Sequence, residues 1–179
     1  MVTENFISLR IAVLIISDTR NERSDKSGKI LEKRILDSGH QISEKFFIKD
    51  DEKKIFEGLK ILVRNKKTDV IILTGGTGLT GRDVTPEAVG SIFEKSIDGF
   101  GELFRLISFQ KIGTSALQSR ATAGVKNGKY IFCLPGSPSA CKDAWDNILL
   151  FQLDIRHKPC NFVEILPRLK ENELSRPKS

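Results

Sequence analysis

The chain has 179 residues, of which 39% are hydrophobic and 29% are charged, and its formal net charge is +6. This length suits one domain with a sizeable core, and the composition is typical of a globular protein. The longest apolar runs, residues 11–16 and 70–73, are shorter than the roughly 20 residues that a transmembrane helix needs. No signal peptide precedes them, so we expect a cytoplasmic protein without a membrane partner. The basic residues are scattered, so we expect no nucleic acid partner either.

Apolar periodicity predicts alternating strands and helices in the first half of the chain. Residues 9–16 are almost wholly apolar and rich in Ile and Val, which predicts a strand buried on both faces. A helix is predicted over residues 26–38, ended by Gly39, and a second strand over residues 41–48. Another amphipathic helix follows, with one apolar face, before a buried strand at residues 70–73. That face is formed by Ile55, Leu59, Leu62 and Val63.

The next helix is predicted from Thr85-Pro86, with Thr85 as N-cap and Pro86 at the first helical position. Its apolar residues are predicted to continue through Ile92 and Phe93. A further helix is predicted over residues 100–109.

Turn residues organise the last third of the chain. Asn127-Gly128 separates apolar runs at residues 121–125 and 129–134, which predicts a two-residue β-hairpin. Ser137 is then a candidate N-cap for a helix that begins at Pro138. Periodicity fades after Arg156, so we expect a core over about residues 9–162 and a C-terminal tail over about residues 163–179.

The alternation of doubly apolar strands with helices predicts one domain over residues 1–179. We expect a three-layer α/β/α sandwich with a mostly parallel sheet and a small antiparallel hairpin. Ligands of such sheets bind beyond the carboxyl ends of the strands. Hydroxyls, carboxylates and glycines follow the predicted strands, which suits a phosphorylated ligand held with a divalent cation.

The stretch "TGGTGLTGRDVTP" after the third strand fits two nucleotide motifs imperfectly. Gly76, Gly78 and Gly81 match G-x-G-x-x-G, but the helix signal at Thr85 lies beyond the third glycine, where a dinucleotide fingerprint needs helix. The P-loop pattern fails because Asp83 stands where a magnesium-binding hydroxyl belongs. A carboxylate beside phosphate is favourable only with a cation between them. The stretch therefore predicts a loop that handles phosphate and metal together.

Several ordered motifs resemble the MoaB/Mog family of molybdenum cofactor biosynthesis proteins over about residues 10–162. They are "ISDT", "KDD", "TGGTGLTGRDVTPEA", "GFGELFR", "GTSALQSRATAG" and "LPGSP", and "HKPCNF" favours the MoaB branch. The resemblance implies a molybdopterin-binding fold that forms homotrimers, or homohexamers in the MoaB branch. It implies transfer of AMP from Mg-ATP to the terminal phosphate of molybdopterin, with release of pyrophosphate.

Residue by residue, the resemblance implies that Asp50 and Asp83 are catalytic and hold Mg²⁺, with ATP as co-substrate. Asp51 takes the place of Asp50 if the alignment slips by one residue. Arg82 either neutralises charge or lies on the surface. The resemblance further implies that the nucleotide and pterin contact Ser17, Asp18, Thr74, Gly75, Gly76, Thr77, Gly78, Glu102, Ser119, Pro135, Gly136 and Ser137.

Two other functions stay open at this stage. The first is a non-catalytic molybdopterin-binding or carrier protein of the same fold. Some MoaB-type members depart from the "RDVTP" pattern, whereas residues 82–86 keep it intact, which favours an enzyme. The second is a nicotinamide-dependent oxidoreductase, which rests on the G-x-G-x-x-G match alone.

Overall fold

The computed structural model describes residues 5–171, and a mixed sheet of six strands runs through its centre. The strands lie in the order β2-β1-β3-β6-β5-β4. The first four are parallel, whereas β5 and β4 add antiparallel pairings at one edge. The strands are β1 (Arg10–Ile16), β2 (Gln41–Ile48), β3 (Val70–Thr74), β4 (Lys95–Ser96), β5 (Thr122–Lys126) and β6 (Lys129–Leu134).

Helices pack on both faces of this sheet. They are α1 (Ser27–Asp37), α2 (Glu52–Arg64), α3 (Thr85–Gly90), α4 (Asp98–Ile112), α5 (Pro138–Ala144), α6 (Leu150–Gln152) and α7 (Phe162–Ile165). A π-helical turn at Trp145–Leu149 joins α5 to α6, and 3₁₀ turns occupy Gly113–Gln118 and Leu166–Arg168.

The strand side chains alternate between two apolar clusters, which produces the three layers. In β1, Ile11, Val13 and Ile15 face the helices α1, α4 and α5, whereas Leu14 and Ile16 face α2 and α3. β3 and β6 alternate in the same way. Because both faces are covered, the central strands need apolar residues at every position. The predicted three-layer α/β fold is confirmed.

Two predicted boundaries were wrong. The N-cap of α3 is Val84, and Thr85 is the first helical residue, because the Thr85 amide donates to the Gly76 carbonyl at 3.0 Å. The helix ends at Gly90, before Ile92 and Phe93. There the chain turns into β4, which pairs with β5. β4 has only two residues, too few for periodicity to reveal.

The packed core extends beyond residue 162, where the sequence analysis placed its end. Val163 in α7 is buried, and Leu166 and Leu169 pack against the same cluster. The rest of the predicted tail, residues 172–179, lies outside the described residues. Within residues 5–171, no helix combines the length and apolarity needed to cross a membrane.

The sheet topology fixes where a crevice can open. From β1 the chain passes through α1 on one face to β2, and then through α2 on the other face to β3. From β3 the chain continues through α3 to β4, at the opposite edge of the sheet from β2. The connections that leave β1 and β3 therefore run in opposite directions, and the carboxyl ends of β1 and β3 form a topological switch point.

Three loops meet closely at this switch point because Gly75 has no side chain. Gly75 has φ +108°, and a Cβ atom placed there would lie 2.1 Å from the Ile16 carbonyl oxygen. Gly81, in the same loop, would meet nothing within 4 Å.

Gly75→Ala is therefore expected to lower the free energy of unfolding by at least about 2 kcal/mol, because it combines left-handed backbone strain with a backbone clash. Gly81→Ala is the matched control and should stay within about 0.5 kcal/mol of wild type. Urea denaturation of the three proteins measures both values. Equal stabilities for the two variants would contradict this account of the loop.

Candidate functional site

A cleft of about 610 Å³ opens at the switch point. Loops after β1, β2, β3 and β6 contribute to it, together with one side of α4 and the turn that follows α4. The residues predicted from sequence that line it are Ser17, Asp18, Asp50, Gly75, Gly76, Thr77, Gly78, Asp83, Ser119, Pro135, Gly136 and Ser137.

Thr74 does not line the cleft, contrary to the sequence-based expectation. It is fully buried, and its hydroxyl donates to the Pro135 carbonyl at 3.0 Å. The same oxygen lies 3.1 Å from the thiol sulfur of Cys141. As the last residue of β3, Thr74 is held beneath the loop and ties it to the end of β6. It shapes the cleft without lining it.

Glu102 also lies away from the cleft. It lines a separate depression of about 500 Å³, with Arg105 among its neighbours, and only Ser119 borders both spaces. Residues two positions apart on a helix point in nearly opposite directions. The face of α4 that borders the cleft therefore carries Phe104, Ser108 and Ile112 instead.

The structure separates the roles of Asp50 and Asp51. Asp51 is the N-cap of α2, and its side chain accepts a hydrogen bond from the Lys54 amide at 3.0 Å. Asp50 precedes the cap and lines the cleft. A capping carboxylate is already engaged by helix donors, so Asp50 is the second acidic residue of the site.

Asp50 lies in surroundings that disfavour its charge. Burial raises the pKa of Asp50, a hydrogen bond from the Val84 amide lowers it, and the charges of Asp83 and Asp18 raise it further; the net shift is upward. The nearby Arg82 opposes this shift. Within residues 5–171, the buried Oδ1 of Asp50 has no hydrogen-bond partner.

The surroundings of Asp83, by contrast, favour its charged form. The Thr80 hydroxyl donates to its carboxylate at 2.6 Å and the Thr80 amide at 3.1 Å. These hydrogen bonds, the Gly78 amide and the charge of Arg120 together lower the pKa of Asp83, although partial burial opposes them. Asp83 is therefore a carboxylate fixed in orientation, beside a neighbour whose charge is poorly solvated.

Arginines surround these carboxylates in different ways. Arg82 forms an ion pair with Asp18, and 76% of its side chain is exposed. Arg120, which the sequence analysis did not single out, pairs with Glu87 and donates to the Asp83 carbonyl at 2.7 Å. The "QSR" segment that contains it was part of the resemblance, but nothing local indicated that it holds the glycine loop.

The glycine loop brings backbone close to both carboxylates. A Cβ atom on Gly76, which has φ +63°, would lie 2.6 Å from Asp50 Oδ1 and 2.3 Å from the Thr85 hydroxyl oxygen. A Cβ atom on Gly78 would lie 2.6 Å from the Asp83 carboxylate. Side chains at these positions would displace the acids, so the loop needs glycine for close approach.

Not every amide of this loop is free for a ligand. The Gly75 amide donates to the Leu134 carbonyl at 3.1 Å, and the Gly78 amide donates to Asp83. The amides of Gly76 and Thr77 donate to no residue of the described chain. At most those two, rather than the whole loop, have amides without an acceptor in the described chain.

The oxygen atoms of these side chains suit a hard cation that takes its remaining ligands from outside the protein. The described residues contain no group of three or more His, Cys, Asp or Glu side chains arranged to hold a metal. The buried Asp50 Oδ1 and Thr85 Oγ1 lack partners, and both lie against Gly76. Mg²⁺ is commonly held by one or two carboxylates plus substrate phosphates, so Asp50 and Asp83 fit it.

Comparisons with known proteins show the family to which the chain belongs. Residues 12–155 match the family described as a probable molybdopterin binding domain. The chain belongs to this family. The resemblance to the MoaB/Mog proteins of molybdenum cofactor biosynthesis is confirmed.

Relatives in this molybdopterin-binding family cover most of the chain. Molybdenum cofactor biosynthesis protein B of Escherichia coli K12 is 45% identical over 161 residues, covering 90% of this chain and 95% of the relative. A crystal structure of a molybdenum cofactor biosynthesis protein B superposes with a TM-score of 0.84 at 36% identity, covering 93% and 98%. The tungsten cofactor synthesizing protein MoaB from Pyrococcus furiosus gives 0.77 at 30% identity, covering 92% and 98%.

The raised pKa of Asp50 predicts a pH-dependent cost to stability. Above the ordinary value of 3.8 the unfolded state ionises first, so the free energy of unfolding falls as the pH rises towards the folded pKa of Asp50 and stays lower above it. Asp50→Asn should therefore be more stable than wild type at pH 7, and the difference should shrink towards pH 4.5.

Asp51→Asn is the control, because asparagine is also a good N-cap and its stability should match wild type at both pH values. Denaturant unfolding at the two pH values measures the effect. A wild type as stable as Asp50→Asn at pH 7 would contradict the electrostatic description of the site.

Proposed function

We propose that this protein acts in molybdenum cofactor biosynthesis as a molybdopterin adenylyltransferase. It would transfer AMP from Mg-ATP to the terminal phosphate of molybdopterin and release pyrophosphate. The observation that carries the proposal is the pairing of Asp50 and Asp83 across a glycine loop, with one buried carboxylate oxygen left unpartnered. Family membership supports the pterin ligand.

The chemistry asks for positioning rather than for a strong base. A phosphate monoester is already an anionic nucleophile, so the difficulty is to bring two polyanions together. The site offers a fixed carboxylate at Asp83, a poorly solvated one at Asp50, and a glycine backbone that lines the cleft beside them. When bound, Mg²⁺ would neutralise part of the phosphate charge.

The two sides of the cleft suit different parts of the substrates. The glycine loop and carboxylates suit phosphate groups, because they combine backbone donors with cation ligands. Phe104 and Ile112 give α4 an apolar surface on the cleft. Such a surface suits the planar ring of adenine or of the pterin.

The alternative proposal is a molybdopterin-binding or carrier protein without catalysis. The favourable hydrogen bonds to Asp83 and the intact "RDVTP" segment support the enzyme instead, because a carrier does not need a carboxylate beside bound phosphate.

We also propose that the protein works as a homotrimer or homohexamer. Apolar side chains on α4 and the turn after it are exposed, namely Leu103, Leu106, Phe109 and Leu117. Exposed apolar patches of this kind often mark interfaces. Light scattering of the purified protein distinguishes a trimer from a hexamer and both from a monomer.

Purified protein incubated with molybdopterin and Mg-ATP should release pyrophosphate only when molybdopterin is present. Asp83→Asn should lower this rate at least about a hundredfold, in the range of other electrostatic catalytic groups. Asp51→Asn should keep the wild-type rate, because its side chain caps α2. Retention of molybdopterin without pyrophosphate would favour the carrier. A rate for Asp83→Asn within a few-fold of wild type would refute its catalytic role.

Mg²⁺ should stabilise the wild-type protein in the presence of a non-hydrolysable ATP analogue, and EDTA should reverse the effect. The rise in melting temperature should be lost in Asp50→Asn and Asp83→Asn, because each removes one negatively charged ligand. Differential scanning fluorimetry measures it. An unchanged Mg²⁺ response in both variants would remove these residues from the metal site.

A further inference from the structure

One arginine of the cleft has no acidic partner. Arg82 pairs with Asp18 and Arg120 pairs with Glu87, whereas Arg20 forms no ion pair with any residue of the described chain. Arg20 lines the cleft and is half-buried. The Arg20 guanidinium therefore lies in a confined space with no carboxylate of the described chain within ion-pair distance.

The Arg20 side chain is nevertheless held in place. Its Nη1 donates to the Gly136 carbonyl at 2.8 Å and contacts the Ser27 hydroxyl oxygen at 3.4 Å. Its backbone amide donates to the Ser17 hydroxyl at 3.1 Å. A guanidinium carries five N–H donors, and those on Nε and Nη2 bond to no residue of the described chain. This arrangement orders the arginine and leaves one face of its fork unused.

The buried acid of the same loop does not take up this charge. Asp25 is fully buried, and its Oδ1 accepts the Gly28 amide at 2.8 Å at the start of α1. Its Oδ2 has no hydrogen-bond partner within residues 5–171. Asp25 therefore makes no hydrogen bond to Arg20, whose contacts are neutral oxygens.

The glycine loop shows where Arg20 lies relative to the carboxylates. A Cβ atom on Gly136 would lie 3.1 Å from Gly75 Cα and 3.7 Å from Arg20 Nη1. Along the loop from Gly75, Gly76 approaches Asp50 and Gly78 approaches Asp83. Arg20 thus borders the end of the loop nearest β6, and the acids border the other end.

We propose that Arg20 binds a phosphate oxygen of the ligand through the free face of its guanidinium. A fork of N–H donors matches two phosphate oxygens, and a charge-assisted hydrogen bond is stronger than a neutral one. The inference rests on the proposed function in taking the ligand to be phosphorylated. The phosphate comes from ATP or from molybdopterin, and both have the chemistry that Arg20 recognises.

The cleft needs such a cation at this end. Asp18 is already paired with Arg82, which leaves Asp50 and Asp83 as the unpaired acids lining the cleft. The other arginine that lines the cleft, Arg82, is engaged by Asp18, so a phosphate beyond reach of a cation held by these acids would otherwise meet no unpaired positive charge of the lining. Arg20 gives that phosphate a positive partner and adds specificity for phosphorylated over dephosphorylated ligands.

Binding of inorganic pyrophosphate, ATP and molybdopterin to the intact protein, measured by calorimetry, tests the proposal. Arg20→Met should weaken at least one of these ligands by about tenfold or more, as expected for loss of a charged hydrogen bond. Arg20→Lys keeps the charge without the fork and should recover part of the affinity. Arg23→Met removes an exposed arginine of the same loop and should bind as wild type.

Ser27→Ala tests whether Arg20 acts through its charge or by holding the loop. This substitution deletes the other hydrogen bond to the Gly136 carbonyl, at 2.7 Å, and leaves Arg20 intact. Wild-type affinity in Ser27→Ala, with loss in Arg20→Met, supports phosphate binding by Arg20. Equal losses in the two variants would assign Arg20 to holding the loop and overturn the proposal, as would unchanged binding of all three ligands in Arg20→Met.

The ligand that weakens identifies the source of the phosphate. A loss limited to pyrophosphate and ATP places Arg20 on the nucleotide, and a loss limited to molybdopterin places it on the acceptor. Because these are binding measurements, they are independent of AMP transfer. A protein that binds pyrophosphate through Arg20 but transfers no AMP would refute the proposed reaction and leave this inference standing.

Discussion

The close approach of Gly75 to the Ile16 carbonyl is the contact on which the rest of the cleft depends. It lets the loops after β1 and β3 meet, and Gly136 from the loop after β6 packs against the same Cα. A side chain at residue 75 would separate these segments by the width of a methyl group. The carboxylates and arginines that belong to different loops would then no longer face one space.

Around this contact, buried hydrogen bonds set the geometry and leave selected groups unsatisfied. The Thr74 hydroxyl holds Pro135, Arg20 and Ser27 hold Gly136, and Arg120 holds the Asp83 carbonyl. The unpartnered oxygens of Asp50 and Thr85 lie beside Gly76. Buried polar groups without partners are costly, so their occurrence together at one point of the cleft indicates a ligand-binding centre.

The two acids illustrate how one cleft supplies unlike carboxylates. Asp83 receives three hydrogen-bond donations, which lower its pKa, whereas burial and neighbouring charge raise the pKa of Asp50. Sequence alone placed both residues beyond strand ends but could not rank them, because their difference arises from Thr80, Val84 and the depth of each group. The same limit applied to Asp50 and Asp51, adjacent acids of which only one caps α2.

By itself, the sequence determined the layered α/β fold, its mostly parallel sheet and which loops follow the ends of the strands. Apolar periodicity is a local property, and it marked β2 at its observed bounds, while Ser137 and Pro138 marked the start of α5. Periodicity did not predict the short strand β4, which depends on its pairing with β5. It also did not predict the start of α3, which depends on the hydrogen bond to Gly76. Only the tertiary structure turned Thr74 and Glu102 away from the cleft, brought Arg20 to it and placed Arg120 against its glycine loop. The direction of a side chain at a crowded switch point depends on partners 37 to 116 residues away in the chain.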